Sequence, residues 1–344
     1  MRNAPFDPKT LFAEGLRGFD KAKPVRILGH FDADGLSATA IFLRAFEAAG
    51  WRATHRLVGR GENAWSEAMR GELAGEDWGG LVVTDLGTRA GTIAPHIPTI
   101  VVDHHVPMGF PEGAVTISGA AQTPIPTSSL LAFRACAALG DVGPLLWLAA
   151  IGIIGDMADK DGWPELDEAR AAYGITALRN AVSLLNAPRR AARADAEPAL
   201  ALLLKGSGPK DVTSGKFPET QALLDAKAEV AQALQAAKRV APQVVGDVAL
   251  LRFSSPCQIH PLVAQSWRGR LPGKIVIAAN TGYSPERIHF AARTATGTDL
   301  IEFFAAHRPA GADEQYGGGH AAASGGALTP ADWNALLSDL GFSP

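Results

Sequence analysis

The sequence predicts an α/β protein in which a doubly wound, mainly parallel sheet precedes a helical connector and a smaller α/β domain. Short apolar runs alternate with helical stretches through the first half of the chain, as strands do when crossover helices join them. The middle of the chain is rich in Ala and Leu, and a second alternation of strands and helices begins near Val244. We predict domain limits at 1–190, 191–242 and 243–344.

Apolar runs predict three buried strands in the first domain, at 25–29, 81–84 and 100–102. A loop is predicted at 30–35, directly after the first strand. Apolar residues at helical spacing then predict a helix at 36–49, which Gly50 can end. Strands separated by helices are typical of a parallel sheet.

Helices dominate the middle of the chain. Two are predicted within 128–158, and the sequence from 165 to 240 continues helical, with interruptions at Pro188 and Pro198. One long helix is predicted at 219–239. The elements predicted for the last domain are strands at 248–253, 274–279 and 288–292, helices at 300–306 and 330–340, and a glycine-rich loop at 316–320.

The composition is that of a soluble, core-forming protein, with 47% hydrophobic and 19% charged residues among 344. A net charge of −3 argues against a general basic coat for nucleic acid, although bound divalent cations would supply positive charge at a phosphate site. The two cysteines argue against a disulfide framework or a zinc ribbon. No signal peptide is visible, and the longest apolar run, 145–154, is shorter than the roughly 20 residues of a membrane span. We therefore expect a cytoplasmic protein without a membrane partner.

Acidic and histidine side chains follow successive predicted strands, and ligands of doubly wound sheets bind beyond these carboxyl ends. A further acid follows the apolar run that ends near 154. The residues concerned are His30, Asp32 and Asp34, then Asp85, then Asp103, His104 and His105, and finally Asp156.

This set of side chains offers carboxylate oxygens and imidazole nitrogens without thiolate. Such donors suit Mn²⁺ or Mg²⁺, and the histidines favour Mn²⁺. Taken singly, each acid is more often a helix cap or a turn residue, and a histidine pair is more often solvent-facing. Their joint placement at strand ends favours a site for two ions, which can clamp a phosphoryl group and hold a bridging water as hydroxide.

These motifs, in this order, resemble the DHH phosphoesterase superfamily, whose name matches Asp103-His104-His105. The sequence from Gly317 to Gly325 resembles the glycine-rich signature of the DHH-associated C-terminal domain, and the His-x-Asp-x-Asp-Gly form at His30 is similar to that of the archaeal RecJ-like branch. The resemblance implies that His105 acts on the scissile phosphate and that Asp103 orients a histidine. It implies metal ligands at His30, Asp32, Asp34, Asp85, His104 and Asp156.

The resemblance also implies that the last domain holds substrate. Arg293 matches the phosphate-binding arginine of the family, and Gly317, Gly318 and Gly319 would let backbone N–H groups approach a phosphate beside His320. A flexible turn is the simpler interpretation of these glycines taken alone. His260 and Arg268 are weaker substrate candidates, for which a surface role is about as plausible.

The function predicted from these features is metal-dependent hydrolysis of short or single-stranded nucleic acid, DNA or RNA, as an exonuclease or oligonucleotidase. A second hypothesis is hydrolysis of a small phosphorylated molecule, such as a cyclic dinucleotide, 3′-phosphoadenosine phosphate or pyrophosphate. A third is a non-catalytic replication scaffold, which the complete set of ligand positions disfavours. A homodimer is compatible with the sequence.

Overall fold

A five-stranded parallel sheet lies at the centre of the first half of the chain. The computed structural model describes residues 6–343. The strands of this half are β1 (Val25–His30), β2 (Ala53–Val58), β3 (Gly80–Thr84), β4 (Arg89–Gly91), β5 (Thr99–Asp103), β6 (Met108–Pro111) and β7 (Ala114–Ser118). The sheet has the order β2-β1-β3-β5-β7 with every pair parallel, and β4 and β6 form a separate two-stranded ribbon. The predicted doubly wound fold is confirmed.

The strand order reverses between β1 and β3, and this reversal fixes where a ligand can bind. Strands lie outward from β1 in both directions, and ligands of doubly wound sheets bind at the carboxyl ends of the strands beside such a reversal. The ends of β1, β3 and β5 therefore border the same edge of the sheet.

Helices cover the sheet and form much of the core. They are α1 (Pro8–Leu16), α2 (Ala33–Ala48), α3 (Glu67–Ala74), α4 (Ser128–Cys136), α5 (Leu146–Gly155), α6 (Pro164–Tyr173), α7 (Ile175–Leu185), α8 (Glu197–Lys205) and α9 (Pro209–Thr213), with single 3₁₀ turns at Gly143–Leu145 and Pro188–Arg190. The apolar helix α5 is buried from Leu146 to Ile153, and it packs on α2 in one core with Phe42, Phe46 and Trp147.

Two helix starts differ from the sequence predictions. Helix α2 begins at Ala33, inside the predicted loop, because the carboxylate of Asp32 caps it by accepting a hydrogen bond from the Gly35 N–H at 3.2 Å. The prediction that Pro198 interrupts a helix is wrong, because Pro198 lies in the first turn of α8. Proline is tolerated there because the first turn needs no N–H donor.

The chain divides into two compact units, 1–189 with 194–225 and 190–193 with 226–344. The long helix α10 (Glu219–Ala237) crosses this division. The segment 191–242, predicted as a connector, is thus shared between the two units. No helix among residues 6–343 has both the length and the apolar character needed to cross a bilayer.

The second unit contains a six-stranded mixed sheet. Its elements are β8 (Gln243–Val245), β9 (Val248–Phe253), α11 (His260–Arg268), β10 (Ile275–Asn280), β11 (Ile288–Thr294), α12 (Leu300–Ala306), β12 (Tyr316–His320), β13 (Ala323–Leu328) and α13 (Pro330–Asp339). The order is β12-β13-β11-β10-β9-β8, in which β9 and β10 pair in parallel and the other pairs are antiparallel.

The glycine-rich segment is a strand, so the prediction of a loop at 316–320 is wrong. It forms β12 at an edge of the sheet and pairs with β13. A side chain at Gly319 would place its Cβ only 2.4 Å from the carbonyl oxygen of Ala323. Glycine is required here because two backbones approach closely. A run of glycines in the sequence does not distinguish this requirement from that of a flexible turn.

Candidate metal centre

The carboxyl ends of three adjacent strands bring the predicted ligands together. His30 ends β1, Asp85 follows β3, and Asp103 ends β5. Asp32 and Asp34 lie at the start of α2, directly after β1. This convergence follows from the parallel sheet, in which equivalent strand ends share one edge.

Two groups of possible metal ligands share Asp85. The first consists of His30, Asp32 and Asp85, and the second of Asp85, His104 and His105; within each group the ligand atoms lie within 4.8 Å of one another. His30 Nδ1 is 3.6 Å from Asp85 Oδ2, and His104 Nε2 is 3.5 Å from Asp85 Oδ1. Each oxygen of the Asp85 carboxylate thus faces a different group.

Asp85 is held in a buried and conformationally unusual position. Its φ of +62° is in the left-handed region, which aspartate tolerates better than most residues. Burial raises the pKa of its carboxyl group well above the usual value, and the nearby charge of Asp34 raises it further. A carboxylate in such surroundings calls for positive charge, which bound cations would supply.

Asp34 is also buried, and the start of α4 satisfies its carboxylate. Its Oδ2 accepts a hydrogen bond from the Ser128 N–H at 2.9 Å, and its Oδ1 accepts one from the Ser129 N–H at 3.0 Å. Helix α5 approaches closely because residue 152 is a glycine. A Cβ at Gly152 would lie 2.3 Å from Asp34 Oδ1. Asp34 is in neither of the two ligand groups, although it lies beside them.

Asp156 is the residue that caps the carboxyl end of α5. Its Oδ2 is 3.6 Å from His104 Nε2, and its side chain is half exposed. Partial burial raises the pKa of Asp156 to about 6, and repulsion from Asp34 contributes. Asp156 therefore reaches the second ligand group from its solvent side.

Asp103 organises the loop that carries the histidine pair. Its buried carboxylate accepts hydrogen bonds from the N–H of His105 at 2.7 Å and from the N–H of Gly87 at 2.8 Å. It also contacts His105 Nδ1 at 3.1 Å and raises the pKa of that imidazole to about 9. The structure thus brings together the pair predicted to be catalytic. It also places His105 among the possible metal ligands, which the sequence interpretation did not include.

The sequence interpretation missed two residues beside the first ligand group, of which one contacts Asp32 and the other contacts the adjacent Ala33. Arg189 Nη1 lies 2.6 Å from Asp32 Oδ2, and the amide oxygen of Asn186 accepts the Ala33 N–H at 3.1 Å. Burial disfavours the charged form of His30, but the carboxylates of Asp32 and Asp85 outweigh this effect and raise its pKa to about 10. Only the Pro-Arg-Arg sequence at 188–190 could have drawn attention to this region.

In the second unit, the predicted substrate residues lie on two strands, β11 and β12, which flank β13. Arg293 of β11 and His320 of β12 are both register partners of Ala323 on the intervening β13. Burial lowers the pKa of Arg293, and the neighbouring charge of Arg268 lowers it further. Gly317 and Gly319 have φ values of +76° and +128°, which favour glycine. The surface role considered for His260 is wrong, because its ring is buried against Tyr283.

Comparisons with known proteins agree with this architecture, although no family model matches the chain. The single-stranded-DNA-specific exonuclease RecJ of Thermus thermophilus is 31% identical over 169 residues, 44% of this chain and 25% of that protein, so the match spans a quarter of the relative. The structure of exonuclease RecJ bound to manganese superposes with a TM-score of 0.68 at 20% identity, and the match covers 100% of this chain and 97% of that one. The DHH domain of a member of a ribosomal-protein family gives a TM-score of 0.65 at 14% identity, covering 98% and 89%. These likenesses show that the chain has the fold of these exonuclease and DHH-domain structures.

The donor atoms of this site fit hard divalent cations. Its two ligand groups contain carboxylate and imidazole only, and one buried carboxylate is common to both. Oxygen donors with imidazole suit Mn²⁺ and Mg²⁺. The T. thermophilus exonuclease has been solved with each of these ions.

Proposed function

We propose that this chain is a metal-dependent phosphodiesterase that hydrolyses short or single-stranded nucleic acid through a site for two Mn²⁺ ions, which Mg²⁺ can replace. The observation that carries the proposal is the position of Asp85, whose two carboxylate oxygens face two separate ligand groups. A carboxylate shared in this way is suited to bridging two cations, the arrangement that supports in-line attack on a phosphodiester.

The proposed metal ligands are His30, Asp32, Asp34, Asp85, His104 and Asp156. Bound cations would provide a hydroxide near neutral pH and would neutralise the charge on the phosphoryl oxygens. The protein's part is to keep these side chains in place before substrate arrives. The hydrogen bonds to Asp34 and the capping role of Asp32 support this interpretation, because helix N–H groups hold both carboxylates, those of α4 for Asp34 and that of Gly35 in α2 for Asp32.

His105 is proposed to donate a hydrogen bond to an oxygen of the scissile phosphate. Its Nδ1 is engaged by Asp103, and its side chain is half exposed. Asp103 favours the imidazolium form, so the ring can offer positive charge as negative charge develops in the transition state. Asp103 itself acts through His105 and is a positioning residue.

The nucleic-acid substrate is inferred from the second unit and from the relatives. Arg293, Gly317, Gly318, Gly319 and His320 are proposed to hold a phosphate group of the substrate. Guanidinium and backbone N–H groups suit this role, and β12, as an edge strand, pairs along one side only. The T. thermophilus relative is a single-stranded-DNA-specific exonuclease, which favours the same substrate class here.

A substrate panel with Mn²⁺ tests the proposal. Dinucleotides, longer single strands, duplexes, cyclic dinucleotides and pyrophosphate would be compared at equal concentration, with EDTA-treated protein as the control for metal dependence. Hydrolysis of dinucleotides or single strands, lost with EDTA and restored by Mn²⁺, is the expected result. Preferential hydrolysis of cyclic dinucleotides or pyrophosphate would overturn the substrate class. Inactivity on the whole panel would instead support a scaffold.

A further inference from the structure

Ser128 contacts two of the buried carboxylates at once. It is the first residue of α4 and is fully buried. Its backbone N–H donates to Asp34 Oδ2 at 2.9 Å, and its hydroxyl group donates to Asp85 Oδ1 at 2.9 Å. Asp34 follows β1 and Asp85 follows β3, so a single residue joins ligand positions that come from two different strands.

The hydroxyl contact fixes how the Asp85 carboxylate is turned. Asp85 Oδ1, which accepts the Ser128 hydroxyl, is also the oxygen 3.5 Å from His104 Nε2. The other oxygen, Oδ2, is 3.6 Å from His30 Nδ1. Rotation of the carboxylate would move both oxygens away from their histidines. The hydroxyl opposes that rotation.

The backbone contact holds the second carboxylate by a different means. The first N–H groups of a helix have no partner within the helix and lie at its positive end. Those of Ser128 and Ser129 point to the two oxygens of Asp34. A carboxylate held on both oxygens cannot swing out of the site. Ser128 thus contributes one donor to each of the two buried acids.

We propose that Ser128 is a positioning residue that presents Asp85 to both ligand groups and thereby raises the affinity of the site for divalent cations. The inference rests on the cation site of the proposed function but not on its substrate. Hydrogen bonds to metal-ligating carboxylates typically contribute 10- to 100-fold in metal affinity. The hydroxyl of Ser128 is expected to contribute within that range.

The experiment measures binding of Mn²⁺ to the full chain without substrate, by electron paramagnetic resonance of free Mn²⁺ and by calorimetry. Ser128→Ala removes the hydroxyl and keeps the N–H that holds Asp34. We expect roughly 10- to 100-fold weaker Mn²⁺ binding. Thermal unfolding in EDTA reports separately on the stability of the fold.

Two variants serve as matched controls. Thr127→Ala removes the hydroxyl that caps the same helix through the Leu130 N–H at 3.4 Å, so it should lower the unfolding temperature without weakening Mn²⁺ binding. Ser37→Ala removes a buried hydroxyl from α2, the helix that carries Asp34, and should change neither quantity. Loss of affinity in parallel with loss of stability across the three variants would mean that Ser128 is merely structural.

The outcomes separate this inference from the proposed function. If the unmodified protein binds no Mn²⁺, the proposed cation site itself fails. If it binds Mn²⁺ and Ser128→Ala binds equally well, the role of Ser128 is overturned while the proposed function stands. Should Ser128→Ala not fold, Ser128→Cys keeps a side chain of similar size with a weaker donor. Weakened Mn²⁺ binding in that variant would support the proposal, and unchanged binding would overturn it.

Discussion

Three carboxylates of the site are buried, so water cannot solvate their charge. Each is compensated differently. Asp34 accepts two helix N–H groups, Asp103 accepts two loop N–H groups and contacts a histidine, and Asp85 accepts a hydroxyl between two histidines. A buried carboxylate costs several kcal/mol unless it is paired or neutralised. Asp85 has the least complete compensation, which agrees with its raised pKa and with a place for cations beside it.

The substitution His104→Ala tests the metal site most directly. His104 Nε2 contacts both Asp85 and Asp156, so its loss should remove a ligand from the second group. With Mn²⁺ saturating, kcat on bis-p-nitrophenyl phosphate should fall by a factor of about 100 or more, since a metal clamp contributes several kcal/mol to transition-state stabilisation. The unfolding temperature in EDTA should change little. His307→Ala, which removes an ion-paired histidine of the second unit, is the matched control and should retain activity. Near-normal kcat in His104→Ala would refute the assignment.

The pair of His105 and Asp103 should make the stability of the metal-free protein depend on pH. Asp103 raises the pKa of His105 from 6.5 to about 9, so the folded protein holds this proton more tightly than the unfolded chain. The resulting stabilisation is complete below pH 6.5 and is lost as the pH rises through about 9. Because His105 is half exposed, we expect only about 1 kcal/mol.

Urea unfolding in EDTA would measure this effect. The free energy of unfolding of the unmodified protein should exceed that of His105→Asn near pH 6, and the difference should disappear above about pH 9.5. Taking the difference between the two proteins removes the contribution of other titrating groups. A difference that is equal at both pH values would show that Asp103 does not favour the imidazolium.

At the scale of elements, the central strands of the first sheet could be predicted and its edge strands could not. The strands β1, β3 and β5 are apolar runs because helices cover both of their faces. The outer strands β2 and β7 were not predicted, since their residues are only partly buried and include polar side chains. A strand is recognised in the sequence by the apolar run that burial on both faces requires, and this run is least complete at the edges of a sheet.

The side-chain contacts between the candidate ligands and distant residues could not be predicted from the sequence. Ser128 and Asp34 are 94 residues apart, and Arg189 and Asp32 are 157 apart. A serine at a helix start and an arginine after a proline are common, and neither signals a distant partner. Apart from Asp156, which follows α5, the candidate ligands could be predicted because each lies at or just after the end of a strand, so the sheet brings them together without any knowledge of side-chain packing.

Two neighbouring glycines in β12 test whether this strand contacts the substrate. Gly319 has a φ of +128° and its Cβ would lie 2.4 Å from the Ala323 oxygen, so Gly319→Ala should destabilise the second unit by about 2 kcal/mol or more. Gly318 has open space within 4 Å of its Cβ position. Gly318→Ala should therefore leave the unfolding temperature nearly unchanged. If backbone N–H groups of β12 approach a phosphate, this variant should still raise KM for a dinucleotide. Unchanged KM and stability would separate β12 from substrate binding.

The whole molecule consists of two units that carry different kinds of chemistry. The first holds the clustered acids and histidines, whereas the second offers an arginine and a glycine-rich edge strand. Under the proposed function, hydrolysis belongs to the first unit and recognition of a further phosphate to the second. Binding energy from a phosphate that does not react can still be used to position the one that does.

Arg293→Ala tests this division of labour. If Arg293 holds a phosphate that is not being cleaved, KM for a dinucleotide should rise by tens-fold, about 1.5–3 kcal/mol for a hydrogen bond to a charged group. The effect on bis-p-nitrophenyl phosphate should be slight, because that ester has no second phosphate. Arg287→Ala, which removes an arginine paired with Asp313 just before β11, is the control and should change neither. Equal losses on both substrates would place Arg293 at the scissile phosphate instead.

Gly152 has a consequence for recognising this site in distant sequences. It carries no charge and lies in an apolar helix, outside every motif, yet a Cβ at that position would lie 1.9 Å from Ser129 Oγ and 2.3 Å from Asp34 Oδ1. Alanine, which normally favours a helix over glycine, would here push the helix away from the acid. A homologue that keeps every acid and histidine but has a side chain at this position is therefore not expected to retain the same arrangement. The absence of a methyl group is thus as diagnostic of an intact site as the presence of its ligands.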